Sequence, residues 1–127
     1  MKKALFFLFA FMVFLCTQTV MSLEIDQSTP EKVVEAVFQA AKSGDISHLK
    51  GLCDPEGEND GDTKRICELT EADAAEFFEY FKNGKVNGKA EIDGEMAAVP
   101  ILFGPEGKTQ ETMNVVKRGD KWYLYSF

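Results

Sequence analysis

The chain has 127 residues, enough for one domain and too few for two. Its 14 Lys and Arg face 21 Asp and Glu, a formal net charge of −7, which excludes nucleic acid as a partner and argues against docking on anionic lipid, since both need a basic surface. Hydrophobic residues make up 45% of the chain and fall in periodic patterns, so it is not a disordered segment.

The first 22 residues read as an address. Met1-Lys2-Lys3 is a short basic start, Ala4 to Leu15 an uncharged apolar run, and Val20-Met21-Ser22 suits cleavage before Leu23. This is the layout of a secretory signal peptide over residues 1–22, followed by a single domain over residues 23–127. An uncleaved anchor is the rival reading, but residues 4–20 fall short of the roughly 20 that a membrane span needs. A third reading has Cys16 acylated as a lipoprotein; Val13 suits that pattern and the bulky Leu15 does not. Lys2 and Lys3 leave with the head and no acid does, so the exported domain, periplasmic or secreted, carries 12 basic and 21 acidic groups and a net −9. It keeps two cysteines, Cys53 and Cys67, a pair suited to a disulfide in an oxidising compartment. Two thiols and the lone His48 make no zinc set, and no metal or cofactor is expected.

Thr29-Pro30-Glu31 predicts a helix start, with Thr29 as N-cap and Pro30 in the first turn. Val33, Val34, Val37, Phe38 and Ala41 share one face, and Gly44 ends the helix. Asp45 can cap a shorter helix carrying Ile46, Leu49 and Leu52. Residues 54–64 lack apolar side chains apart from Pro55 and read as an exposed loop. Thr70 and Asp73 resemble a capping box for a third helix that buries Ala74, Phe77, Phe78 and Phe81 and stops at Asn83-Gly84.

The period then changes to alternation. Residues 86–92 predict a strand, Asp93-Gly94 a two-residue turn, and residues 95–103 a second strand in which Pro100 hints at a bulge or an edge. Residues 104–107 form the next turn, 108–117 the third strand, and Arg118-Gly119-Asp120 the turn into a last strand over 121–127. The expected class is α+β, with N-terminal helices packed on a curved, four-stranded antiparallel meander and a conical pocket between the layers.

Two stretches now carry a resemblance: Thr29-Pro30-Glu31-Lys32-Val33-Val34 running on to Lys42-Ser43-Gly44-Asp45, and the closing Asp120-Lys121-Trp122-Tyr123-Leu124. The chain resembles the nuclear transport factor 2-like superfamily, and within it the small exported or lipoprotein-type bacterial members. That resemblance implies a cone-shaped fold, often dimeric through the outer sheet face, hosting enzymes as well as pure binding modules. Fold alone therefore leaves catalysis open. The isomerase type needs a carboxylate base with a Tyr and a protonated acid, but Asp93, Glu91 and Glu95 cluster at a hairpin tip. The dehydratase type wants a His–Asp pair, and His48 is the chain's one histidine.

No catalytic residue is assigned. Phe38, Tyr80, Met96, Trp122, Tyr123 and Tyr125 are the candidates for a pocket or an interface. Alternation puts Trp122, Leu124 and Ser126 on one sheet face and Tyr123, Tyr125 and Phe127 on the other, where Tyr123 and Tyr125 suit a homodimer contact. The acidic run Asp54, Glu56, Glu58, Asp60, Asp62 invites a weak calcium site, although Cys67 stands where a bidentate Glu would close an EF-hand loop. Arg118-Gly119-Asp120 spells an adhesion tripeptide and equally an ordinary turn. The expected function is a non-catalytic binding or interaction module for a small apolar ligand or an exported protein. The alternative is a small-molecule isomerase or dehydratase using the pocket.

Overall fold

Thr29 starts the first helix as its sequence predicts. Its hydroxyl accepts from the Lys32 amide at 3.2 Å, and helix α1 runs Pro30–Ser43 to Gly44, which closes it with a φ of 81° and an N–H that donates to the Ala40 carbonyl at 3.0 Å. The computed structural model describes residues 25–127, so the predicted signal peptide, its cleavage site and Cys16 lie outside the described residues. Among the described residues no helix is long and apolar enough to cross a membrane.

The next segments depart from expectation for local reasons. Asp45 accepts from both the amide and the hydroxyl of Ser47, at 3.0 and 2.6 Å. That turn replaces the expected cap, and the chain makes only a 3₁₀ turn, Leu49–Leu52, which buries Leu49 and Leu52. The stretch expected to be loop contains helix α2, Gly61–Cys67, capped by Asp60 through the Thr63 amide at 2.9 Å. Seven residues are too few for a 3.6-residue period to show, so the cap was the legible signal. Thr70 donates to the Asp73 carboxylate at 3.0 Å, leaving the Thr70 side chain without a backbone cap bond. A 3₁₀ turn, Glu71–Asp73, therefore precedes helix α3, Ala74–Phe81.

The sheet has five antiparallel strands where four were expected: β1 Lys85–Val86, β2 Glu91–Asp93, β3 Met96–Phe103, β4 Thr109–Arg118 and β5 Lys121–Ser126. β1 and β2 are the two ends of the single predicted strand, and both pair with β3. Val86 faces Ile101, yet five residues later Glu91 faces Ala98, only three residues along β3. The surplus loops out opposite Pro100, which has no amide to donate, and the Pro100 carbonyl accepts from Asn87 at 2.8 Å. The Glu31 carboxylate of α1 takes up the Ala90 amide at 2.9 Å. Asp93 pairs with Met96, so the tight turn is Gly94-Glu95 rather than Asp93-Gly94. Gly94 holds φ 65° and Glu95 a negative φ, the pattern of a II′ turn.

Ala97, Val99 and Ile101 of β3, Met113 and Val115 of β4, and Trp122 and Leu124 of β5 pack against Val33, Val34, Val37, Phe38 and Ala41 of α1. The helices precede the sheet and cover one of its faces, an α+β arrangement. Gly84 lets α3 turn into β1 under Phe38: a Cβ there would run into the Phe38 ring and the Leu102 carbonyl. Cys53 and Cys67 form a disulfide with their Cα atoms 6.1 Å apart. It ties the C-terminal end of α2 to a segment lying along the edge of β5, where Cys53 bridges Leu124 and the Asp54 amide donates to the Leu124 carbonyl at 3.1 Å.

β5 departs from simple alternation. Leu124 faces Val115 and Ser126 faces Asn114, so Tyr125 is a bulge residue. Beyond it the faces swap. Ser126 joins the outer face, where its hydroxyl accepts from Asn114 at 2.9 Å, and Phe127 turns inward against Phe81 and Phe103. Strict alternation had put both residues on the opposite faces.

Candidate binding groove

The helix–sheet layer is filled by side chains around α1 and opens at one end. There a groove of about 760 Å³ lies between α2, α3 and the ends of β3 and β5. Ridge spacing along α3 builds its floor: Phe77 and Phe81, one turn apart, stack with ring centres 5.1 Å apart. Phe81 meets Phe103 at 5.6 Å and Phe127 at 6.0 Å, and Phe103 meets Phe127 edge-on at 5.3 Å. Tyr80, 40% exposed, stands over Phe103 at the mouth. Ile66 and Leu69 add the wall contributed by α2 and the chain after it.

The rim is acidic. Asp62, Glu68, Asp73 and Glu76 line the groove, all solvent-exposed. Arg65, its basic lining residue, pairs with Asp62 at 3.1 Å. Both partners are exposed, so that pair contributes little to stability. The site thus offers apolar and aromatic side chains edged by solvent-exposed carboxylates.

Of the six sequence candidates, Tyr80 lines the groove. Phe38 and Trp122 are core residues, 2% and 5% exposed. Met96 and Tyr123 are half-buried on the outer sheet face, each opposite Val116 on a neighbouring strand. Tyr125 is the bulge, and its carbonyl accepts from Asn59 at 3.1 Å. Ile66, Leu69, Phe77, Phe81, Phe103, Phe127 and the rim acids, which line the same groove, were not among those candidates. One signal was available: residues 68–81 hold five acids and no base beside their aromatics.

A second constellation gathers around Arg118. Asp54, expected on an exposed loop, has a fully buried carboxylate held by Arg118 through two bonds of 3.0 Å. Glu56 and Glu58 approach the same guanidinium at 3.5 and 3.8 Å. Hydrogen bonding to Arg118 holds the Asp54 carboxyl below its ordinary range against the opposing effect of burial. Three of the acids read as calcium ligands therefore already share an internal cation, and Asp60 caps α2 while accepting from the Phe127 amide at 3.0 Å. The same contacts tie down the Arg of the Arg118-Gly119-Asp120 turn. His48 sits elsewhere, half-buried in a hollow with Ile25, Asp26 and Leu52.

No protein-family model and no curated protein matches the chain. Two solved structures do. One is described as an NTF2-like transpeptidase from Campylobacter jejuni, with 17% identity, a TM-score of 0.52, and coverage of 77% of this chain and 98% of that one. The other is a SEC-C motif containing protein from Rhodopseudomonas palustris, with 18% identity, a TM-score of 0.51, and coverage of 77% and 76%. This is a nuclear transport factor 2-like fold. At such identities the likeness extends to the fold alone.

Proposed function

We propose that the protein is an exported, non-catalytic binding module whose ligand or partner seats in the groove between α2 and α3. The observation that carries the reading is the pairing of a continuous aromatic floor, Phe77, Phe81, Phe103 and Phe127, with a rim whose carboxylates are all exposed. An isomerase or dehydratase would need a shielded acid or base facing that floor. The buried acid Asp54 is instead bonded to Arg118. An acyl-transfer step needs an activated nucleophile, and Cys53 and Cys67, joined to each other, do not supply one. The disulfide and the signal-like head support export to the periplasm or beyond. The half-buried apolar face around Met96 and Tyr123 supports self-association as a second contact.

Photo-crosslinking tests this. A benzophenone amino acid replacing Tyr80 in the expressed full chain is expected to capture a discrete partner or ligand in the exported fraction. The same group replacing Ile92, exposed at the distant hairpin, is expected to capture none. Equal labelling from both positions, or none from Tyr80, would remove the groove as the site.

A further inference from the structure

We infer that the occupant of the groove is a basic amphipathic peptide segment of a partner protein, with an apolar side chain on the aromatic floor and Lys or Arg side chains at the rim; this rests on the groove being the binding site. The charge pattern chooses the ligand class. Wherever the acidic loop folds back on the domain, its charges are met from within: Asp54, Glu56 and Glu58 share Arg118, and Asp62 has Arg65. Glu68, Asp73 and Glu76 line the groove, and among the described residues none of them has a basic partner within ion-pair distance. Glu71 and Glu79 lie in the same base-free run and add to the field. A row of uncompensated carboxylates beside an apolar floor repels anions and draws cations, and electron-rich ring faces add to the attraction when a cation comes within about 6 Å. Exposed Tyr80 and the Phe103 ring beneath it present such faces at the mouth.

The shape favours a peptide over a small cation. The groove is an open cleft of about 760 Å³ in which Phe103 and Phe127 are half-buried over the nearly closed-off rings of Phe77 and Phe81, so it leaves a compact ligand wet on one side while leaving length along the cleft for neighbouring side chains of a peptide. One apolar anchor flanked by two or more basic residues fills floor and rim together.

Fluorescence anisotropy on the purified, disulfide-intact protein tests the inference with three labelled hexapeptides of sequence KKLFKK, QQLFQQ and EELFEE. The basic peptide is expected to bind about tenfold or more tightly than the neutral one, with the acidic one weakest, and the gap is expected to shrink as salt rises. A Glu68→Gln, Asp73→Asn, Glu76→Gln triple variant, altered only at exposed positions, is expected to cost the basic peptide about tenfold and leave the neutral one unchanged. Tyr80→Ala is expected to weaken both. Neutral and basic peptides binding equally, with both sensitive to Tyr80→Ala, would overturn the cationic class and leave the groove standing. Basic binding indifferent to both variants would place it on another surface and overturn the inference. If no peptide binds while the Tyr80 crosslinker still captures a ligand, the peptide class falls; if the crosslinker is silent too, the groove falls with it.

Discussion

Arg118 grips both oxygens of the Asp54 carboxylate, from Nε and from Nη2, each at 3.0 Å, with the Asp54 side chain wholly buried and that of Arg118 about one-quarter exposed. The pair joins the end of β4 to the segment that covers the edge of β5. Removing one member of a buried pair leaves a charge without a partner, which typically costs about 3–5 kcal/mol. Asp54→Ala is expected at the lower end of that range, because water can reach the freed guanidinium. Urea denaturation of the two proteins measures it; a loss below about 1 kcal/mol would mean the pair is dispensable.

The same carboxylates set the acid limit of the fold. Asp54 is held below its ordinary value by Arg118. Burial pushes Asp60 up, but the hydrogen bonds from Thr63 and Phe127 outweigh it and leave Asp60 lowered as well. A carboxyl with a lower value folded than unfolded stabilises the fold fully above its unfolded value and loses that contribution as pH falls through the folded one. The melting temperature is therefore expected to be flat from about pH 7 to 5 and to drop below about pH 4. Asp54→Asn is expected to start lower and fall less steeply, which thermal scans across that window would reveal.

The disulfide closes a loop of 15 residues, a constraint on the unfolded chain worth about 3 kcal/mol by chain entropy. The Cys53→Ser, Cys67→Ser double variant is expected to lose most of that. Because the bridge holds the last residue of α2, faster amide exchange is expected in Gly61–Cys67 than in α1. Uniform loosening of the whole domain in a hydrogen-exchange experiment would contradict this.

Gly84 is constrained by space rather than by dihedral angle. A methyl group there meets the Phe38 ring and the Leu102 carbonyl, and backbone cannot step aside as a side-chain tip can. Gly84→Ala is expected to destabilise by about 1–3 kcal/mol, the usual range for overpacking. Gly51→Ala serves as the control, since a Cβ there meets nothing within 4 Å. Chemical denaturation of both separates crowding from a general dislike of side chains.

Tyr80 marks the boundary between fold and function. At 40% exposure, over Phe103 at the groove mouth, its loss is expected to change stability by less than about 1 kcal/mol. A melting curve close to the parent's, alongside weakened binding, would set Tyr80 apart from Phe81, whose truncation opens the core.

Local signals carried most of the fold. Thr29, Pro30 and Gly44 bracket α1 where their side chains and dihedral freedom require, and alternation locates the strands to within a residue or so at β4 and β5. What escaped was short or tertiary. Helix α2 has too few turns to show a period, and the break between β1 and β2 depends on which β1–β2 residues come to lie opposite Pro100. The groove was hidden for a different reason. Phe77 and Phe81 read as core and are core that edges the groove, whereas Phe127, which alternation put on the other sheet face, reaches the groove only through the bulge at Tyr125. Asp54 shows the converse: nothing in a run of acids says which one will meet Arg118, 64 positions away.

The bulge at Tyr125 works like a frameshift written in space. Upstream of it every second residue of β5 reads toward the helices; downstream the frame has moved by one, handing Phe127 to the groove and Ser126 to the far side. Were Tyr125 instead to pair with Asn114 in a regular ladder, Ser126 would fall to the helix side and Phe127 to the far side, sending an aromatic ring into water and a hydroxyl into the apolar floor. The groove thus owes its last wall to one residue that pairs with nothing across the strand.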